Sequence, residues 1–480
     1  MQFQYNSDYP GLTAESVALG VDVGVAAAQA LAADPREFPP AQPIPCARIT
    51  TRIYHPSRNE VSTVQNVLVR TMARPPTQQQ ATNSMQPGEG KGDNSSMSSD
   101  DFSVSSSSSS AMSDMDLADG NGGQPIAAGQ PPMAHDDSQD RAYWIQRTLR
   151  EAIYGRVLFA TVLRRRYTQH QPNAINADWE VTSEFCAVKE MSRQLIRKER
   201  DRLAEDPIKE VSAMQYLRQW HESRNRNSPG IISSNQAVMD THVMMPLDLL
   251  SDDRNLYSIM PYCDGGELFE RLDLNERFSE DEARYWMHQV LTGLENLQSA
   301  GVCHRDMSLE NLLVHQNRAL IIDLGMCLRV PLADNTPALS SAFAGINMNG
   351  APAPSTFPDG RATLRSLMKP QGTCGKWIYM SPEIYLNRDP FDGFAVDMWA
   401  AGVILFLMLT GFPPWERACA TDERFKYMTA GYLVQMLTEW ELGLSSDSMD
   451  LLQRMLFLDP KDRLSLDQVR AHPWMLTGQS

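Results

Sequence analysis

The sequence predicts an α+β domain behind a long polar N-terminal stretch, and three observations carry this. Residues 1–140 hold little sustained apolar pattern, and from Pro75 to Pro132 they are mainly Gln, Ser, Gly, Asp and Pro. Strand-like apolar runs follow, at Leu149 to Leu163 and at Cys186-Ala187-Val188, which ends in Lys189. Helix-like runs dominate afterwards. Phe278 to Ala300 opens on Ser279 and Glu280-Asp281-Glu282 and closes at Gly301, and Trp399 to Thr410 is apolar throughout. A chain of 480 residues, 42% of them hydrophobic, suffices for one large domain with appendages.

Charge and cysteine usage narrow the function classes. Forty-three basic against 59 acidic residues give a formal net charge of −16. That balance argues against nucleic acid or a membrane surface as a partner and suits basic protein substrates. The seven cysteines stand singly with no C-x-x-C pair, so reduced thiols in the cytoplasm, or the nucleus, are expected. No apolar run of about 18 residues is seen, so no membrane span is expected. The N-terminus has no basic region leading into an apolar one, so no secretory signal is expected.

Taken in order, residues 1–140 are expected to be mostly disordered, and residues 1–135 to lack a stable fold and to be dispensable for catalysis. Ala26 to Ala33 suits a transient helix, and Ile49 to Val69 alternates enough to pair locally. Ser105–Ser110, between Asp100-Asp101 and Asp114, cannot bury enough apolar surface to offset chain entropy. It reads as a solvated linker or as a multiply phosphorylated tail. The first two strands of the domain are expected around Gly155, with Arg164-Arg165-Arg166 ending the second. After Lys189, Glu210 heads Val211, Met214 and Leu217 at helical spacing. Leu217 to Val238 reads as an insertion before strands around His242–Leu250 and Leu256–Met260.

The chemistry concentrates in His304-Arg305-Asp306-Met307-Ser308-Leu309-Glu310-Asn311 and in Asp323-Leu324-Gly325 beyond a short apolar stretch. Phosphoryl transfer needs one carboxylate to orient a hydroxyl, and a carboxylate and an amide to hold cations on the phosphates. With Lys189, Glu210, Ser381-Pro382-Glu383, Asp397-Met398-Trp399, Gly402, Arg463 and His472-Pro473-Trp474 in that order, the sequence resembles eukaryotic protein kinases of the Ser/Thr type. The resemblance covers about residues 141–476. It implies a two-lobed kinase fold, with an N-lobe and hinge over 141–263 and a C-lobe over 264–476. It implies ATP and Mg²⁺ as cofactors and protein substrates. Carried over by position, Asp306 is the catalytic base and Asn311 and Asp323 are the metal ligands. Lys189, fixed by Glu210, grips the α/β-phosphates. Gly155, Val157, Ala187, Leu313, the gatekeeper Met260 and the hinge residue Cys263 surround the nucleotide. Glu383 and Arg463 are expected to pair, and Trp399 to Thr410 matches the buried helix that anchors the C-lobe.

Three departures bear on function. Of the glycine-rich loop only Gly155 survives, with Arg150 and Ala152 at the first two glycine positions. Either the grip on ATP loosens, or Arg150 lends charge, or Ala152 is small enough to serve. Second, the lysine expected two residues after the catalytic aspartate is Ser308, and the threonine expected seven residues before the Glu383 position is Lys376. A hydroxyl and an ammonium have exchanged places, so Lys376 is expected to supply the charge and Ser308 the hydrogen bond. The other reading is two independent losses, and with it a pseudokinase scaffold or binding module. Third, residues 331–370 lengthen the activation segment with a Pro/Ala/Ser/Gly-rich insert, expected to be a loop. Arg305 marks the class that holds an activation-loop phosphate, with Thr373 the expected target of an upstream kinase and Ser366 and Thr363 as fallbacks. Glu267 and Glu310 match acidic positions that favour basic residues before the phosphorylation site. In the C-lobe the likeness is to calcium/calmodulin-dependent and cyclic-nucleotide-dependent kinases, although no EF-hand pattern is present. Cys303 and Cys327 read as core, and Cys374 as a candidate redox-sensitive thiol.

Overall fold

The computed structural model describes residues 37–71, 141–166, 178–203, 205–224, 235–330, 332–334, 353–356, 362–365 and 367–477. Seven strands form the N-lobe sheet: β1 (Ile44–His55), β2 (Glu60–Arg70), β3 (Arg141–Ala152), β4 (Gly155–Arg166), β5 (Asp178–Ser192), β6 (Asp248–Ser251) and β7 (Asn255–Pro261). Their order is β1-β2-β3-β4-β5-β7-β6. The sheet closes into a barrel because β1 lies parallel to β6, Ile44 beside Leu250, and to β5, Ile53 beside Trp179.

This corrects the boundary expected at residue 140, because residues 44–70 belong to the N-lobe. Ile53, Val67, Leu68 and Val69 are fully buried, and Ile53, Val67 and Val69 pack with Ala142, Leu163 and Trp179. Alternation was visible between Ile49 and Val69, but the partner that makes it worth folding, β3, lies some 70 positions downstream. Val67 pairs with Trp144 and Leu68 with Tyr143. Without that surface the hairpin would be marginal in water.

Helix α1 (Arg193–Glu199) leads to α2 (Pro207–Arg224), the helix of Glu210. Asp206 starts α2 by accepting from the N–H groups of Ile208 and Lys209, with Pro207 in the first turn where its missing N–H costs nothing. The expected insertion after Leu217 is in part a continuation of this helix, followed by α3 (Asn235–Asp240).

The C-lobe is helical. It contains α4 (Leu268–Asn275), α5 (Glu280–Ser299), α6 (Pro382–Leu386), α7 (Gly393–Thr410) and smaller helices between Glu423 and Leu476. Ser279 caps α5 as expected, accepting from Glu282 N–H at 3.2 Å. Helix α7 is longer than the apolar run suggested. Its 18 residues are long and apolar enough to cross a membrane, and all of them are buried inside the domain. The activation-segment insert, expected to be a loop, contains strands among its described residues. Of residues 331–370, β12 (Leu332–Asp334), β13 (Ala353–Thr356) and β14 (Ala362–Arg365) form a small antiparallel sheet in the order β12-β14-β13. Four short strands, β8 (Val302–Cys303), β9 (Leu312–His315), β10 (Arg318–Ile321) and β11 (Leu328–Arg329), bracket the site residues.

Candidate active site

The loop from His304 to Asn311 hangs from the core helix. Asp397 on α7 accepts from the backbone N–H groups of His304 at 2.7 Å and Arg305 at 2.8 Å. Burial pushes the Asp397 carboxyl up to about 6, and the imidazole and the two backbone donors pull it back. His304 is fully buried, and that burial lowers its pKa against the opposing pull of Asp397. Its Nδ1 accepts from Asp306 N–H and its Nε2 faces the Ile322 carbonyl at 2.9 Å, tying the loop to the strand end that carries Asp323. Arg305 (φ 68°) and Asp323 (φ 65°) both occupy the left-handed region. Such conformations cost energy in residues with a Cβ and persist only where the surroundings over-determine them.

Asn311 donates from its side-chain amide to the Asp306 carbonyl at 2.7 Å and to Asp306 Oδ2 at 3.1 Å. The β9–β10 hairpin then returns the chain, and Ile322 N–H donates to the Asn311 carbonyl at 3.0 Å, which sets Asp323 beside the loop. Burial raises the Asp306 carboxyl to about 6, with the Lys376 ammonium opposing and Asp323 adding to the rise.

From the N-lobe, Lys189 Nζ lies 2.6 Å from Glu210 Oε2 and 2.9 Å from Oε1. Glu205 approaches the same ammonium at 3.9 Å. Burial works against the charge on Lys189, but Glu210 and Asp323 outweigh it and the pKa is raised. Glu205, Glu210 and Asp323 place carboxylate oxygens within 4.8 Å of one another. Three carboxylates against one ammonium give this pocket a net negative charge that suits a divalent cation such as Mg²⁺. Glu205 was not anticipated as a site residue, since it precedes the helix and heads no apolar stripe. Burial raises its carboxyl to about 7, followed by repulsion from Asp323.

Between the lobes, Val157, Ala187, Met260, Cys263 and Leu313 are all half-buried apolar residues. In the sheet, Val157 pairs with Lys189 and Ala187 with Met260. Ile322 is also half-buried and packs on the same core as Met260, Cys263 and Leu313. Gly155 is required for a reason other than phosphate approach. A Cβ there would collide with the Glu190 carbonyl on β5, where the β3–β4 turn folds over the strand. Arg150 points instead across the cleft to Glu267, 3.5 Å away.

Ser308 and Lys376 meet. Lys376 Nζ donates to Ser308 Oγ at 2.7 Å and lies 3.8 Å from Glu310 Oε2. The approach depends on Gly375 (φ 86°), where a Cβ would press to 3.0 Å from the Arg305 carbonyl. Below this segment Arg463 pairs with Glu383 at 2.7 Å and also donates to the Ala395 carbonyl. Thr373 is exposed, and its neighbour Gly372 offers its carbonyl to Arg305 Nη2 at 3.4 Å. Thr363 lies in β14, while Ser366 lies outside the described residues. Cys303 and Cys327 are fully buried, as expected. Burial raises the Cys374 thiol as well, which disfavours the thiolate that redox sensing requires.

The protein kinase domain model matches residues 174–475. The chain belongs to the protein kinase family. Among curated relatives, the serine/threonine-protein kinase SAPK2 of Oryza sativa subsp. indica is 27% identical over 268 residues, 56% of this chain and 69% of that protein. SRK2I of Arabidopsis thaliana, also a serine/threonine-protein kinase, is 28% identical over 276 residues, 57% of this chain and 67% of its own. An abscisic acid-inducible protein kinase of Triticum aestivum is 27% identical over 268 residues, 56% and 71% respectively. Strands β1 to β4 precede the matched region.

Proposed function

We propose that this Ser/Thr kinase transfers the γ-phosphoryl of ATP with Asp306 as the base and Lys376 in place of the usual catalytic-loop lysine. The observation that carries the proposal is the 2.7 Å contact between Lys376 Nζ and Ser308 Oγ, which joins the two departures into one local arrangement. Bound Mg²⁺ supplies charge neutralisation on the phosphates. The chain's own residues do the rest. Asp306, raised toward neutrality by burial, accepts the proton of the substrate hydroxyl. Asn311 and Asp323 hold the cation, and Lys189, kept charged by Glu210, grips the non-transferred phosphates. Lys376 presents an ammonium where charge develops on the transferring group.

Basic residues before the acceptor are the expected preference. Glu267 and Glu310 face the cleft, and the overall charge of −16 favours basic peptides. Arg150 on Glu267 acts as an internal stand-in that an incoming arginine displaces. An upstream kinase acting on exposed Thr373 would set a phosphate beside Arg305. The test is phosphorylation of a basic Ser peptide library with Mg-ATP, run beside Asp323→Asn. Turnover by the wild type alone, with arginine selected before the acceptor, is the expected result. Equal incorporation by both proteins would overturn the assignment.

A further inference from the structure

Helix α2 carries Glu210 and yet has no open outer side along its middle. Glu210, Val211, Ser212, Ala213 and Met214 are five consecutive buried residues, which a helix lying on a lobe surface does not show. Ser212, Gln215 and Tyr216 stand about 140–240° round the helix from Glu210. That opposite face is covered by the segment entering β1. Ala41 N–H donates to Ser212 Oγ at 3.2 Å, and Gln42 N–H donates to Gln215 Oε1 at 2.8 Å. Phe38 packs edge-on against Tyr216 with ring centroids 5.7 Å apart. The same tyrosine is overlain by Arg329, 4.8 Å from its ring centre, and Arg329 donates to the Glu37 carbonyl at 3.1 Å. Arg329 belongs to β11, six residues beyond Asp323.

We infer that residues 37–42 are an intramolecular strap that presses α2 onto the lobe, keeps Glu210 on Lys189, and ties both to the start of the activation segment. Phe38 and Tyr216 are its positioning residues. The Lys189–Glu210 pair must be in place for transfer, and helix position controls it. The strap supplies that control from within the chain. The barrel gives it a fixed anchor, since Ile44 and Pro45 are paired to β6 directly after it. On this inference residues 37–42 contribute to catalysis, where composition led to the expectation that residues 1–135 are dispensable.

The inference rests on the phosphoryl-transfer reading of the site, and two measurements on the full chain separate them. In the first, kcat on a basic peptide is compared for wild type, Phe38→Ala, Glu210→Gln and the double variant. Phe38→Ala should lower kcat about tenfold in the wild-type background and less than about twofold beside Glu210→Gln, because both act through one pair. Phe38→Tyr should keep the wild-type rate. In the second, amide hydrogen exchange in residues 211–217 should quicken at least about tenfold in Phe38→Ala while α7 stays protected. The second measurement needs no turnover, so it decides the strap even if the catalytic reading fails. Unchanged exchange in α2, or equal losses from Phe38→Ala in both backgrounds, would overturn the inference.

Discussion

In the C-lobe the reacting groups are fixed from below, by a helix whose every residue is buried and whose Asp397 holds two consecutive backbone N–H groups of the catalytic loop. In the N-lobe the groups that grip the nucleotide are fixed from outside. Lys189 depends on Glu210, Glu210 depends on α2, and the outer face of α2 is covered by residues 37–42, which lead into a barrel whose first two strands lie at Ile44–Arg70. The C-lobe half is supported by its own buried core, with Asp397 holding the loop from 92–93 positions away. The N-lobe half relies on contacts made across more than 100 positions. The family pattern is accordingly kept in the first, apart from the Ser308–Lys376 exchange, and eroded in the second, where two of three glycines have gone.

The comparison breaks most readily at the C-lobe carboxylates. Asp323→Ala should abolish Mg²⁺-dependent turnover, and Asp306→Asn should lower kcat by roughly 10²–10⁴. Wild-type rates in either variant would show that the site lies elsewhere.

Next in size is the ion pair beneath the substrate-facing segment. Arg463 has no exposed side-chain surface, pairs with Glu383 at 2.7 Å and sits over the Trp399 ring. Arg463→Ala leaves the Glu383 charge poorly compensated and should cost about 3–5 kcal/mol, read from chemical denaturation. The half-exposed Arg156, paired with Glu190 on the barrel at 2.8 Å, should cost about 1 kcal/mol or less when changed to Ala. Equal losses would remove the distinction between the two lobes.

A smaller effect concerns pH. Asp306 must be ionised to accept a proton, and its carboxyl is raised to about 6. The kcat/KM profile should therefore rise with pH through about 6 and level above it. Lys376 opposes that rise in pKa, so Lys376→Thr should move the midpoint upward. Titration of ATP is common to both proteins and cancels in the difference. A midpoint unmoved by the substitution would place Lys376 too far from Asp306 to matter. Smallest of all, Arg150→Ala removes only an exposed contact with Glu267, and KM for ATP should change less than about threefold.

What was legible in the sequence follows the same division. Asp306, Asn311 and Asp323 could be read because their spacing is set locally, by one loop and one hairpin. The Lys189–Glu210 pair could be read because a strand-end lysine and a glutamate heading a helical stripe stand in the order that the kinase resemblance implies. The contact between Ser308 and Lys376 was legible because two departures were chemically complementary. The β1–β2 hairpin was legible only as local alternation over Ile49–Val69; its place in the N-lobe was not, since its partner strand is remote and a polar tract intervenes. Glu205 escaped because it lies before a helix rather than on one, and reaches Lys189 only once Asp206 has turned the chain into α2. The small sheet of the insert escaped because Ala353–Thr356 and Ala362–Arg365 show no alternation strong enough to mark strands.

The most direct test is a double-mutant cycle on Ser308 and Lys376, with kcat measured on one peptide for wild type, Ser308→Lys, Lys376→Thr and the combination. Lys376→Thr alone should lose most activity, mainly in kcat, and Ser308→Lys alone should also lose activity because two ammonium groups then crowd one site. The combined variant restores the usual kinase arrangement and should recover much of the loss. Losses that simply multiply, or a Lys376→Thr enzyme with normal kcat, would contradict the exchange and reduce Lys376 to a solvated charge near the substrate.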